Sequence, residues 1–232
     1  GDMDVLSASA SDGKVNWYEN NGSESFTTHT ITTTTSANSV YVIDLDRDGD
    51  MDVLSTSYST SWHENTTTTA FDPSFTAADI ATSANYALSV FAADMDNDGD
   101  MDIVSASGND DAIAWYENDG AANPSFTAAD IATSADGASS VFVADMDNDG
   151  DMDIVSASEF DNTIAWYEND GAADPSFTAA DIAISADGAR GVFPADMDND
   201  GDMDIVSASS QDDAIAWYEN TTSAVYNPEF AA

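Results

Sequence analysis

Asp94, Asp96 and Asp98 stand at alternate positions, and Gly99, Asp100, Met101 and Asp102 follow them. Numbering this loop from one to nine puts carboxylates at positions one, three, five, seven and nine. Alternate residues of a tightly curled segment point inward, so the first three carboxylates converge. Glycine at six permits the sharp bend because it has no Cβ. The backbone carbonyl of Asp100 at seven and the carboxylate of Asp102 at nine then complete a shell of oxygens. Hard oxygen donors in a flexible cage suit calcium better than zinc or copper. Without a cation the cluster is strained, since like charges about 4 Å apart repel by about 4 kcal/mol per pair at an effective dielectric of ~20.

The same nine-residue pattern recurs at intervals of 50 or 51 residues. It supplies Asp44, Asp46, Asp48, Asp50 and Asp52; Asp145, Asp147, Asp149, Asp151 and Asp153; and Asp196, Asp198, Asp200, Asp202 and Asp204. About four structural Ca2+ sites are therefore expected, each pinning the hairpin between two strands. A truncated copy, G-D-M-D-V-L-S-A-S, opens the chain with only Asp2 and Asp4, and its site is expected to be empty. The loops differ from an EF-hand: their flanks read as strands, and position twelve is Ser105 where an EF-hand has a bidentate Glu.

The elements around the loops repeat with them. Val141–Ala144 is short, β-branched and aromatic, and it runs into the acidic loop. Met152–Ser158, Thr163–Asn169 and Phe177–Ala183 follow as strands, separated by the polar turn Glu159–Asn162 and by a loop from Asp170-Gly171 to Asp174-Pro175. No stretch sustains a 3.6-residue apolar period. Four short strands in about 51 residues predict an all-β chain, a β-propeller of four-stranded antiparallel blades. One such sheet cannot bury both of its apolar faces, and stacking sheets around an axis buries both. The chain reads as a single repeat domain over 1–232, with units at about 1–39 (partial), 40–89, 90–140, 141–191 and 192–232. Five blades are expected, the first and last incomplete, as part of a larger propeller or longer repeat array. The opening Gly1-Asp2-Met3-Asp4 falls in the middle of a repeat, so the translated start is expected to lie elsewhere.

Composition narrows the function. There are 45 acidic residues and 3 basic ones, for a formal charge of −42. Nucleic acid and anionic membrane surfaces are excluded as partners, because both need clustered Lys and Arg. There is no cysteine, so metal takes the stapling role that disulfides play in many secreted proteins. No apolar run approaches the ~20 residues of a membrane-spanning helix, so no direct membrane insertion is expected.

Other candidate groups have plainer readings. The W-Y-E-N segments at Trp17, Trp115, Trp166 and Trp217, and W-H-E-N at Trp62, place an aromatic pair where it could stack on sugar rings or pack between sheets; packing is the favoured reading. Glu19, Glu64, Glu117, Glu168 and Glu219 end these strands and read as hydrogen-bonding or solvated groups. His29 and His63 have no ligand partners at metal spacing and read as substitutions without chemistry. Asn21, Asn65 and Asn220 open N-x-S/T glycosylation patterns and are expected on exposed loops. No nucleophile elbow, phosphate loop or zinc motif occurs, and the chain is read as not an enzyme.

The acidic loop between V-F-x-A-D and I-V-S-A-S, followed by W-Y-E-N, resembles the FG-GAP or VCBS repeat, the family of the integrin α-subunit propeller and certain fungal lectins. The resemblance covers essentially the whole chain. It implies a propeller with calcium in the hairpin loops, and a secreted or cell-surface role in adhesion or recognition. The expected function is a non-catalytic extracellular module that binds a glycan or an extracellular protein. The alternatives are a structural block of a fibre, sheath or surface layer, through self-assembly or flanking repeats, and a polysaccharide-active enzyme on a propeller scaffold.

Overall fold

The computed structural model describes residues 2–23, 25–66, 73–221 and 230–231. The described elements are all strands, arranged in five antiparallel sheets. The first sheet has three strands, β1 (Val5–Ser9), β2 (Lys14–Asn20) and β3 (Phe26–Thr33). The second is β4 (Ser39–Ile43), β5 (Asp52–Thr56), β6 (Thr60–Asn65) and β7 (Phe75–Ala81). The third is β8 (Ala87–Ala93), β9 (Asp102–Ser107), β10 (Ala112–Asn118) and β11 (Phe126–Ala132). The fourth is β12 (Ala138–Ala144), β13 (Asp153–Ser158), β14 (Thr163–Asn169) and β15 (Phe177–Ala183). The fifth is β16 (Ala189–Ala195), β17 (Asp204–Ser209), β18 (Ala214–Asn220) and β19 (Phe230–Ala231).

Each sheet is a meander, so every strand pairs with its sequence neighbour. The third and fourth strands of the repeat run over the residues that patterning predicts. The inner strand is longer than expected. In the fourth sheet it begins at Ala138, because Ala138 pairs with Ser158 across an irregularity that leaves Ser139 out of register. A second irregularity recurs between the third and fourth strands, at Val15/Asn16, Thr60/Ser61, Ile113/Ala114 and Ile164/Ala165. Such bulges sharpen the local twist.

The inner strands of successive sheets meet one another. Ser89 Oγ accepts from Val141 N at 3.2 Å, and Ser140 Oγ accepts from Val192 N at 3.4 Å, one repeat later. Asn38 Nδ2 donates to Ala87 O (2.9 Å) and Ser139 Oγ to Ala189 O (2.9 Å). Tyr41, Phe91, Phe142 and Phe193 form a ladder, one ring per sheet, with centroids 4.9, 4.4 and 5.0 Å apart.

The core lies between sheets. One face of the third sheet, with Val104, Ile113 and Trp115, packs on Val141, Val143, Ile154 and Tyr167 of the fourth. The fourth sheet repeats this against the fifth with Val155, Ile164 and Trp166. Both faces of an internal strand are thus covered, which is why β9 and β13 are buried at every residue. The fifth sheet presents the same face to solvent: Ile215 is 75% exposed and Trp217 43%, whereas Ile164 is fully buried and Trp166 4% exposed.

These paired positions separate burial from residue identity. Ile164→Ala removes a fully buried side chain and is expected to cost about 2–5 kcal/mol, whereas Ile215→Ala stays within about 0.5 kcal/mol. At about 2–4 °C per kcal/mol for a chain of this size, thermal melts resolve the two. Equal shifts would show that the fifth sheet's outer face is covered in solution.

Candidate metal centre

Each acidic loop joins the inner strand to the second strand of its sheet, and its curl is set by two backbone positions. Position four is left-handed, with φ of 60° at Arg47, 59° at Asn97, 61° at Asn148 and 64° at Asn199. Position six is Gly49, Gly99, Gly150 or Gly201, with φ of 93° to 101°, where a side chain would be strained.

Within the curl, the carboxylates hold the loop by accepting backbone N–H groups. Position three accepts from position five, as in Asp98 N to Asp96 Oδ1 (3.1 Å) and Asp149 N to Asp147 Oδ1 (3.2 Å). Position five accepts from position seven, at 2.7 Å for Asp100 N to Asp98 Oδ1 and 2.9 Å for Asp151 N to Asp149 Oδ1. Position one accepts from the glycine, at 3.1 Å for Gly49 N to Asp44 Oδ2 and Gly150 N to Asp145 Oδ2. The bonded oxygens fix the side chains, and other oxygens turn into the loop. Asp44 Oδ1, Asp94 Oδ1 and Asp147 Oδ2 are buried there without a hydrogen-bond partner.

Four sets of carboxylates converge, each offering oxygens within 4.8 Å of one another: Asp44, Asp46 and Asp48; Asp94, Asp96 and Asp98; Asp145, Asp147 and Asp153; and Asp196, Asp198 and Asp200. That spread fits oxygens placed 2.3–2.6 Å from a shared calcium-sized ion. Buried anionic oxygens with no proton donor need a cation or a proton, so the residues present fit a metal ion.

Positions seven and nine have work that sequence reading missed. The side chain of position seven meets the neighbouring loop. Asp100 pairs with Arg47 (2.7 Å), Asp151 accepts from Asn97 Nδ2 (2.6 Å) and Asp202 from Asn148 Nδ2 (2.9 Å). Residue four of one loop therefore grips residue seven of the next. Position seven also lies over the Asp-Gly turn: a Cβ on Gly120 would stand 2.0 Å from Asp100 Oδ2. The fixed spacing of Asn97 and Asn148 was a signal, but their partners lie a full repeat away.

Position nine is a buried hub. Asp52, Asp102, Asp153 and Asp204 are at most 1% exposed. In each, Oδ2 accepts from the backbone N–H of position two and Oδ1 from the last residue of the third strand. For Asp153 these are Met146 N (3.1 Å) and Asn169 N (2.8 Å). In the third loop Asp153 also joins the metal-type cluster. In the first sheet Asp4 keeps the hub with Asn20 N (2.8 Å) and Trp17 Nε1 (2.9 Å). The indoles of Trp62, Trp115 and Trp166 lie close enough to lower the pKa of the corresponding carboxylate, though outside hydrogen-bonding geometry.

These surroundings move the acids upward. Burial pushes Asp102 to about 6 and Asp153 to about 7, against the pull of the N–H groups. Burial, then the charge of Asp149, raises Asp147 to about 6. Burial also raises Asp46, Asp52 and Asp96.

The repeated loop, its hub and the sheets that carry it coincide with a known repeat: the FG-GAP-like repeat matches residues 1–55, 94–156 and 147–207. The chain belongs to the FG-GAP-like repeat family. No curated protein matches it with significance. Among the described residues of this FG-GAP-like chain no helix is long and apolar enough to cross a membrane.

The remaining candidates fall into place within the repeat. Trp62, Trp115 and Trp166 are buried between sheets, with their Tyr or His neighbours, so this aromatic pair packs. His63 is not without a role: its Nε2 lies 2.8 Å from Ser55 Oγ, as Tyr116 Oη lies 3.4 Å from Ser105 Oγ, and burial lowers its pKa to about 4. His29 stacks on Trp17 and faces Glu19 at 3.1 Å. Asn21 is exposed, but the exposed-loop expectation fails for Asn65 and Asn220, which end β6 and β18. Asn220 is 1% exposed and its amide nitrogen donates to Met146 O (3.1 Å), because this strand end reaches back to the preceding loop. Thr67 and Thr222, which complete these two patterns, lie outside the described residues.

The raised acids fix a pH dependence for protein stripped of metal on a chelating resin. Groups whose folded pKa lies above the ordinary carboxylate value bind protons on folding, so their stabilisation is full below about 4 and is lost as pH rises through about 7. His63 acts oppositely, since its lowered pKa favours the folded state above pH 6.5, and so do the exposed, lowered Asp12, Asp119 and Asp170, but seven carboxylates are raised and the large shifts among the acids are all upward. Stripped protein should therefore melt higher at pH 5 than at pH 7.5. A higher melting point at pH 7.5 would mean that the loops open when empty.

Proposed function

We propose that this chain is a calcium-stapled extracellular recognition module, built as blades of a β-propeller. The observation that carries the calcium reading is the set of buried, partnerless carboxylate oxygens inside three of the loops, at position one in Asp44 and Asp94 and at position three in Asp147. Asp44, Asp46 and Asp48, and their counterparts in the other loops, would hold one Ca2+ each, with position seven contributing its backbone carbonyl and position nine standing behind. The ion's contribution is neutralisation and cross-linking, which fastens inner strand to second strand. The side-by-side run of inner strands and the aromatic ladder support a common axis.

Near-identical sheets display the same outer strand again and again. Thr127, Ala128, Ala129 and Asp130 of β11 are exposed, as are Thr76, Ala77, Ala78 and Asp79 of β7. Such repetition suits avid, multivalent binding of a repetitive ligand such as a polysaccharide, where each contact is weak and the sum is strong. It suits catalysis poorly, because a catalytic site needs one unit to differ. A second reading, a structural building block, is favoured by the uncovered apolar face at Ile215 and Trp217.

Titration calorimetry on stripped protein should count about four Ca2+ per chain, and Asp147→Asn should lose one while keeping the rest. Each site should add about 2.7 kcal/mol of stability when free calcium is ~100-fold above its Kd. A melting curve unmoved by calcium would refute the staple. Glycan arrays with calcium and with chelator test the recognition role. Specific binding lost in chelator supports it; silence, combined with concentration-dependent sedimentation, favours the structural block.

A further inference from the structure

The chain has three Lys and Arg residues against 45 acids, and one of the three, Arg47, stands among the acidic loops. It holds position four of the loop at Asp44, where the next three loops have Asn97, Asn148 and Asn199. Its backbone is left-handed, with φ of 60°. Asparagine enters that region more readily than arginine does. Backbone preference therefore does not account for arginine here, and the reason lies in what its side chain reaches.

The guanidinium crosses to the loop of the third sheet. Arg47 Nη1 lies 2.7 Å from Asp100 Oδ1, and Nη2 lies over Gly99, 3.6 Å from the place a Cβ would occupy. Both residues belong to the loop in which Asp94, Asp96 and Asp98 converge. Asp94 Oδ1 is buried in that loop without a hydrogen-bond partner. In the next two loops an uncharged amide makes the same grip: Asn97 Nδ2 donates to Asp151 Oδ1 at 2.6 Å, and Asn148 Nδ2 to Asp202 Oδ1 at 2.9 Å. The nine-residue loops 94–102, 145–153 and 196–204 are identical in sequence, so they offer the same ligands. The three grips are equivalent in place and differ in charge.

We propose that Arg47 sets the calcium affinity of the neighbouring loop, making the site of Asp94, Asp96 and Asp98 weaker for a divalent cation than the identical loop at Asp145. The inference rests on the calcium reading of the loops and adds what grades them. A guanidinium beside Asp100 offsets one of the loop's five carboxylates and repels an incoming divalent ion. Half of the Arg47 side chain faces solvent, so this is a repulsion screened by water. A unit charge about 7 Å from a divalent ion, at a dielectric of ~80, lowers affinity by about fivefold to tenfold. Graded sites spread the response of the chain over a wider range of calcium than equal sites would. As calcium falls, the third sheet's loop empties before that of the fourth.

The test uses the full chain with isotope-labelled glycine, stripped of metal and titrated with calcium in dilute buffer. In NMR spectra the amides of Gly99 and Gly150 each report their own loop. Gly99 should reach its midpoint at about five to ten times the calcium that Gly150 needs. Arg47→Asn keeps the grip in the form that Asn97 and Asn148 already use, and removes the charge. It should bring the Gly99 midpoint down to that of Gly150 and leave Gly150 in place. Arg47→Lys should keep most of the gap, and Asn97→Arg should move the Gly150 midpoint upward. In ~0.5 M potassium chloride the gap should shrink to about twofold or less. Coincident midpoints in the unaltered chain, or a gap that survives Arg47→Asn, would overturn the proposal and leave the calcium reading standing. Glycine amides that do not respond to calcium at all would overturn both.

Discussion

The structure depends on a buried carboxylate at the start of the second strand of every four-stranded sheet. Asp52, Asp102, Asp153 and Asp204 are sealed from water, yet each accepts a backbone N–H from the loop before it and another from the end of the third strand. A buried anion of this kind is costly unless its lone pairs are occupied. Here the occupants are the two chain segments that must meet for the hairpin to close. Removing either leaves an unpaired charge in the core, so loop, inner strand and third strand are held as one unit. The acidic loop then stands directly over this hub, and its own carboxylates add charge to a place already crowded with it. A cation held there would relieve both clusters at once, most directly in the third loop, where Asp153 belongs to both.

That arrangement makes sense of the composition. A charge of −42 would oppose compaction if it were spread evenly. Twenty of the aspartates are gathered into four loops, each folded so that one oxygen of most side chains is spent on a backbone N–H. The gathering turns a repulsive sequence into a set of local sites. The loops are also joined: Arg47 to Asp100, Asn97 to Asp151 and Asn148 to Asp202. Stability in such arrays is close to a sum of unit terms and nearest-neighbour terms. These contacts place part of the neighbour term at the acidic loops.

What could be read from the chain follows from the range of each interaction. The alternating aspartates and the glycine at position six act within nine residues, and their curl was legible from spacing alone. Strand order was equally legible, because the meander pairs only sequence neighbours. The role of position four was not, since Asn97 meets Asp151 across 54 residues and nothing in its own neighbourhood marks it. Position nine was read only as one more ligand because all the aspartates look alike in sequence; burial separates Asp102 from Asp98, while Asp153 is both buried and part of a converging cluster. Asn220 reads as an exposed acceptor pattern until its amide is seen to reach Met146, in the preceding unit. His63 reads as a stray substitution until Ser55 is seen across the strand pair, where Ser105 faces Tyr116.

The two ends of the array are unequal in a way that near-identical repeats alone do not explain. At the fifth sheet Ile215 and Trp217 stand exposed where Ile164 and Trp166 of the fourth are buried. At the first sheet the hub at Asp4 and the walls at Trp17 and Phe75 are in place beside an apolar cavity. The same face of the repeat is therefore core where a neighbouring sheet covers it, as at Ile164 and Trp166, and surface where none does, as at Ile215 and Trp217.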